Sequence, residues 1–423
     1  TDCPQRDERQ GWMGDAQMTA NMGLYNFTAE SAYVKFLRDI ADAQGEDGRI
    51  PDTVPHVWGT NPGDPQWAGA YLFIAWDMYR HTGAKHLLEQ HYEGMKRYVE
   101  MLRREAGDSH ILTRNNYGDW VAVVETPKDL ISTGTYYLSV KTLADIAQVL
   151  GKWSDEREYR ALCERIADAF HRRFWSAETG YYGNGSQFSN IFPLYLGIVP
   201  KEHQQKVLEH VIHDITVNHK GHLSTGFIGT RYLLDTLTMY GRADIAYLVA
   251  SQDTYPSWGY MVRMGATTIW ELWKYEVGPG MNSHNHPAFG LVSGWFYEAL
   301  AGLRPDPVRG DWEHFTVRPH AVGDLRWAQA SADTMRGKVA VRWEKRPDAF
   351  LLSVVVPVNS SATVYIPKAG IATPALIEAE GRVWSKGSFN PKVPGVKSAR
   401  DEGEWMVVEI GSGDYHFKLH ADR

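Results

Sequence analysis

Two cysteines, Cys3 and Cys163, are all that a chain of 423 residues contains. So few thiols exclude a disulfide framework, and without any paired-Cys spacing they exclude a Cys-based structural zinc site. Side-chain packing has to supply the stability. Long apolar runs are missing as well. No stretch reaches the roughly 18 residues of a membrane-crossing helix, and the start shows no basic, apolar, small-residue leader pattern. The expectation is a cytoplasmic protein that does not span a membrane, with a secreted or periplasmic one as the alternative. Basic clusters are also absent, and the net charge is -7, which argues against nucleic acid or an anionic membrane surface as a partner. A neutral or weakly charged substrate fits better, and oligomeric state is not legible.

What is abundant is aromatic: 16 Trp, 22 Tyr and 14 Phe. Such rings fill cores, and their flat faces also stack on sugar rings. From about residue 15 to 302, apolar residues recur at three and four spacing between Gly and Pro turns, the periodicity of helices. In "SAYVKFLRDIADAQ" (31–44) they place Val34, Leu37, Ile40 and Ala41 on one stripe. Nearly all-apolar segments alternate with amphipathic, charged ones: 67–83 with 84–107, 132–151 with 155–175, 186–199 with 201–215, and 225–241 with 242–251. With 21–27 and 289–302 added, six buried inner helices are expected, each backed by a solvent-facing outer helix. That alternation predicts an α/α toroid. After "GLRPDPVRGDW" the texture changes to Val-rich, period-two runs such as "KVAVRWEKR" and "EWMVVEIGSGDYHFKLH". These predict an antiparallel β-sandwich. The expected organisation is therefore mainly α: an (α/α)6 barrel over 1–304, then a C-terminal β-sandwich over 305–423, read as a structural companion.

The chemistry-bearing residues begin with the opening "TDCPQRDERQGWMGDAQ". Pro4, Gly11 and Gly14 favour a structured loop over a continuous helix. Asp2, Arg6, Asp7, Glu8, Arg9 and Asp15 sit there beside Cys3, Trp12 and Met13, which prefer burial, so the charges are tied to a partly buried frame. A solvated surface of weak pairs is the plain alternative. Further on, "NNYGDW" offers Asp119 and Trp120, and "YPSWGYMV" offers Trp258. In "TTIWELW", Glu271 is the only charge among apolar and aromatic neighbours, including Trp270. That setting disfavours its ionised form, unless the residue points to solvent from an amphipathic helix. "NSHNHPAFG" offers His284 and His286, but no acidic or Cys ligand stands at a metal-helix spacing, so hydrogen bonding is expected and no metal.

With these residues laid out, the chain resembles the α-L-rhamnosidases of glycoside hydrolase family 78. The resemblance rests most on "DCPQRDERQGWMGDAQ", followed in order by "YGDW", "TTIWE" and "NHPAFG". It implies removal of terminal α-L-rhamnose by inversion, without a cofactor. In it Glu8 is similar to the general acid and Glu271 to the general base. Asp2 and Asp15 would hold sugar hydroxyls with Arg6 or Arg9 nearby, Trp12, Trp120, Trp258 and Trp270 would wall the pocket, and Asp119 and His286 would make polar contacts. Inversion requires room for a water, hence carboxyl groups roughly 6.5 to 9.5 Å apart. In the family, β domains and the start of the barrel usually precede this motif, which here begins at residue 2. Two other readings share the barrel: a lyase acting on rhamnosyl-uronate linkages, and a rhamnose-binding protein without catalysis.

Overall fold

The computed structural model describes residues 2–4, 8–306, 308–379 and 381–422. The chain divides into two compact units, one drawn from 1–23, 28–77 and 85–292, the other from 24–27, 78–84 and 293–423. Helical hairpins follow one another in sequence: Met13–Asn26 with Glu30–Ala43, Ala70–Thr82 with Lys85–Ala106, Lys128–Leu150 with Trp153–Phe174, Gln187–Leu196 with Lys201–His213, and Phe227–Met239 with Ala243–Ala250. The last inner candidate, 289–302, is realised in short pieces, Ala288–Leu291, Val292–Trp295 and Phe296–Ala301.

The inner and outer helices differ as their compositions require. Lys128–Leu150 is buried along most of its length, and even its hydroxyls are internal: Ser132 donates to the Arg114 carbonyl at 2.7 Å and Thr135 to the Ile131 carbonyl at 2.8 Å. Its partner Trp153–Phe174 buries Tyr159, Leu162, Ile166 and Phe170 at helical spacing and turns its charges outward, where Glu158 meets Arg103 of Lys85–Ala106 at 2.7 Å. In Glu30–Ala43 the stripe narrows to Leu37 and Ile40, with Val34 and Ala41 half-buried. The apolar run from 67 to 83 is not one helix. Asp64 accepts from the Gln66 N–H at 2.9 Å and starts the short helix Pro65–Ala68, and Gly69 separates that turn from Ala70–Thr82. The break carries Trp67 with it. Among the described residues, no helix is long and apolar enough to cross a membrane.

The other unit contains two sheets. In spatial order the seven-stranded sheet runs Trp327–Thr334, Gly337–Lys345, Ala349–Val356, Gly413–Ala421, Pro374–Glu378, Gly381–Ser385 and Ser388–Phe389. The five-stranded sheet runs Val396–Glu402, Trp405–Ile410, Ser361–Pro367, His314–Val317 and Leu303–Pro305. Alternate residues such as Val339, Val341 and Trp343 from one sheet and Val364, Ile366 and Val408 from the other enter a shared core. One pairing departs from the antiparallel expectation. His314–Val317 lies parallel to Ser361–Pro367, which the long sequence separation of the two strands permits. Strand Leu303–Pro305 already includes residue 304, so the 304/305 division expected from composition falls inside a strand.

Candidate active site

The carboxylates of the opening segment are organised by backbone pairing. Met13 N donates to the Asp52 carbonyl at 3.0 Å, Val54 N donates to the Gly11 carbonyl at 2.9 Å, and Trp12 pairs with Thr53. Gly11 is required here: a Cβ would lie 2.1 Å from the Val54 carbonyl oxygen. This pairing aims the Trp12 indole at Glu8, whose Oε1 accepts from Nε1 at 2.7 Å. Immediately afterwards helix Met13–Asn26 begins, with Asp15 in its first turn, where the exposed backbone N–H groups favour an anion.

Glu271 arrives from a segment that forms no helix. Its N–H donates to the Ser283 carbonyl at 2.9 Å, and His286 N donates to the Ile269 carbonyl at 2.8 Å. Glu271, Asn282 and His286 are thereby brought side by side. Glu271 is 6% exposed rather than solvated. Trp120 Nε1 donates to its Oε1 at 3.0 Å and Asn282 Nδ2 to the same oxygen at 3.2 Å, while the Cys3 thiol approaches Oε2 at 3.9 Å. Burial raises the Glu271 pKa above the ordinary glutamate value. The His286 charge and the hydrogen bonds from Trp120 and Asn282 oppose the rise, and Asp15 reinforces it.

His286, 3% exposed, places Nε2 3.0 Å from Asp15 Oδ1. Ala288 N donates to Nδ1 at 3.3 Å, which puts the neutral ring's proton on Nε2, toward Asp15. Burial alone would lower the His286 pKa, but the Asp15 hydrogen bond and the charges of Asp15, Glu271 and Asp2 bring it above the usual value. Asp2 is 4% exposed, and its buried Oδ1 has no hydrogen-bond partner among the described residues. Such an oxygen is costly unless a donor arrives. Asp2, Cys3 and His286 each offer one ligand atom within 4.8 Å of the others. With no cation bound, burial and the Asp2 hydrogen bond push the Cys3 pKa well up, so the thiol stays protonated beside Asp2 and Glu271.

Asp2, Glu8, Asp15, Glu271, Asn282 and His286 line one cavity of about 330 Å³. Aromatic rings wall it. Tyr117 stands at their centre, 4.5 Å from Trp67, 5.8 Å from Trp12 and 6.1 Å from Trp120 between ring centroids, and Phe227 lies 6.1 Å from Trp67. Of the residues expected from sequence, Asp2, Glu8, Trp12, Asp15, Trp120, Glu271 and His286 line this cavity together. Others do not. Trp258 is buried, donates Nε1 to the Phe289 carbonyl at 2.9 Å and meets Trp273 edge-on. Trp270 is buried against Tyr275 and His284. Arg9 is exposed with φ +46° and is not among the lining residues, and Arg6 lies outside the described residues.

Asp119 is the instructive case. Its Oδ2 accepts from Gly226 N at 2.7 Å and its Oδ1 from Gly229 N at 2.8 Å, at the start of helix Phe227–Met239. Burial pushes its pKa up to about 7, against the pull of these backbone groups. The carboxylate pins the helix bearing Phe227 to the loop bearing Trp120, and Gly226 permits the approach, since a Cβ there would lie 2.1 Å from the Trp120 carbonyl oxygen. Sequence reading missed Trp58, Trp67, Tyr117, Phe227 and Asn282 as lining residues. Tyr117 and Asn282 stood inside stretches already singled out. Trp67, inside the short helix Pro65–Ala68, and Phe227, at the start of an apolar helix, carry no signal that separates them from core.

A helical-hairpin unit whose cavity joins buried carboxylates to aromatic walls is the arrangement of a six-hairpin glycosidase domain. The family model for the bacterial alpha-L-rhamnosidase six-hairpin glycosidase domain matches residues 1–300, and that for the bacterial alpha-L-rhamnosidase C-terminal domain matches residues 302–373. The chain belongs to the bacterial α-L-rhamnosidase family. It is 33% identical over 427 residues to an alpha-L-rhamnosidase of Streptomyces avermitilis, covering 99% of this chain and 39% of the relative. It is 32% identical over 383 residues to one of Formosa agariphila, covering 87% and 41%. It thus spans well under half the length of these curated relatives. Among solved structures, the α-L-rhamnosidase of Dictyoglumus thermophilum superposes with a TM-score of 0.92 at 40% identity, over 99% of this chain and 47% of that one. The Streptomyces avermitilis α-L-rhamnosidase complexed with L-rhamnose gives 0.88 at 32%, over 99% and 39%.

Proposed function

We propose that the chain hydrolyses terminal α-L-rhamnosides with inversion, Glu8 acting as general acid and Glu271 as general base. The observation that carries this reading is the floor of the cavity, where Glu271 and the unpartnered Asp2 oxygen lie beside the Asp15–His286 pair under aromatic walls. Rhamnose is a neutral 6-deoxy sugar. Its hydroxyls can donate to Asp2 and Asp15, and its methyl group and apolar face suit Trp67, Tyr117 and Phe227. Glu8, with Oε1 engaged by Trp12, would carry its proton on Oε2 and deliver it to the departing oxygen as the glycosidic bond breaks. Glu271 would take a proton from the water attacking the opposite face. Release of p-nitrophenol from its α-L-rhamnoside tests the proposal: turnover supports it, and rhamnose binding without turnover would leave only a carbohydrate-binding protein.

Trp120 gives this reading a pH signature. The indole N–H stabilises the ionised form of Glu271, so Trp120→Phe, which keeps a ring but removes the donor, should raise the Glu271 pKa further. The acidic limb of the kcat/KM profile should then move to higher pH. A limb that stays in place would separate Glu271 from the ionisation that controls the rate.

A further inference from the structure

Residues 52–64 form a strap held at both ends that contributes Trp58 and Gly59 to the cavity lining, with Val54 buried at its root and Val57 and Trp58 exposed. Asp52 Oδ2 accepts from Thr60 N at 2.6 Å, Thr60 Oγ1 at 2.8 Å and the Tyr117 hydroxyl at 2.7 Å, while its Oδ1 accepts from Asp64 N at 2.6 Å. Inside the strap, Thr53 Oγ1 accepts from Trp58 N at 3.3 Å and donates to the Trp58 carbonyl at 2.7 Å. The turn around Trp58 is therefore built, not loose. At its tip Val57 is 62% and Trp58 61% exposed. Trp58 nevertheless lines the cavity, and among the described lining residues it is the one whose side chain is exposed rather than buried or half-buried.

Its position relative to the acid follows from backbone pairing. The root of the strap, Asp52 to Val54, is hydrogen-bonded to Gly11 and Met13, and Trp12 between them holds Glu8. Trp58 and Glu8 are thus carried by paired segments. The carboxylates that would hold the sugar are buried at the floor, so whatever is bonded to the sugar through the oxygen that Glu8 protonates must leave toward the mouth. An indole held there offers a flat, uncharged face.

We propose that Trp58 forms the leaving-group subsite, a stacking platform for a flat, uncharged ring attached to rhamnose. The ring can be an aromatic aglycone or the apolar face of a second sugar, since both present the same surface to an indole. The proposal rests on the hydrolase reading above and adds the class of leaving group to it.

The test compares wild type, Trp58→Ala and Trp58→Phe on three substrates: an aryl α-L-rhamnoside, a rhamnosyl-glucoside and methyl α-L-rhamnoside, whose leaving group has no ring. In Trp58→Ala the ratio of kcat/KM for a ring-bearing substrate to that for the methyl glycoside should fall about tenfold, chiefly through KM, and Trp58→Phe should recover part of it. A fall confined to the aryl substrate assigns the platform to aromatic aglycones, and one confined to the rhamnosyl-glucoside assigns it to a sugar. Ratios that do not change, or Trp58→Phe behaving as Trp58→Ala, would overturn the subsite. A wild-type protein that binds rhamnose yet hydrolyses none of the three would overturn the hydrolase reading itself, and the subsite with it.

Discussion

Glu271→Ala is expected to lower hydrolysis of an aryl α-L-rhamnoside by about three orders of magnitude, within the range that loss of a positioned general base produces. Azide should restore part of the rate and appear in the product as β-L-rhamnosyl azide, because a small anion that needs no deprotonation can occupy the space of the missing carboxylate and its water. The geometry of Glu271 supports the role. Its Oε1 is engaged by Trp120 and Asn282, which fixes the plane of the carboxylate, while Oε2 meets the weakly donating Cys3 thiol at 3.9 Å. On the proposed mechanism Oε2 would then be the oxygen that takes the water's proton. Burial raises the affinity of Glu271 for that proton, which is the direction a general base working near neutral pH requires. The wild-type enzyme should release β-L-rhamnose first, visible by NMR before mutarotation. An initial α-L-rhamnose would mean double displacement, and the inverting assignment would fall.

Glu8→Gln is expected to depend on the leaving group. A glutamine keeps an oxygen to accept from the Trp12 indole, so the local hydrogen bond survives while the transferable proton is lost. Methyl or sugar leaving groups need that proton, and their turnover should fall by roughly two to four orders of magnitude. A p-nitrophenolate departs without protonation and should be affected far less. Rhamnose affinity should persist, because the lost interaction is one made in the transition state. Equal losses on good and poor leaving groups would remove Glu8 from the acid role.

The two carboxylates were not equally readable. Glu8 stood in a charged stretch whose Trp, Cys and Met neighbours already pointed to a partly buried frame. Glu271 stood out as the only charge in "TTIWELW", yet the same pattern fits a residue facing solvent from an amphipathic helix. Pairing of 269–271 with 283–286 decides between these by forming no helix and burying the carboxylate. Asp119 shows the reverse. A lone acid between Gly and Trp in a loop resembles a ligand contact, but its oxygens are consumed by Gly226 and Gly229 N–H groups more than a hundred residues away. Trp258 likewise packs against Trp273, and Trp270 against Tyr275 and His284, and nothing in composition separates a Trp that lines a cavity from one that packs beneath it.

The order of amino acids by itself determined the succession of helical hairpins and then strands, because three-to-four and twofold periodicities are local consequences of which face each element buries. It also determined that no disulfide framework holds the fold. Only the tertiary structure decided which acids share a cavity, which tryptophans wall it and which cap or fill, and where the strap bearing Trp58 lies. Those outcomes depend on hydrogen bonds between residues far apart in sequence, such as Asp15 with His286, Trp120 with Glu271 and Tyr117 with Asp52. Local periodicity carries no information about them, since burial of a polar group is tolerated only where a distant partner satisfies it.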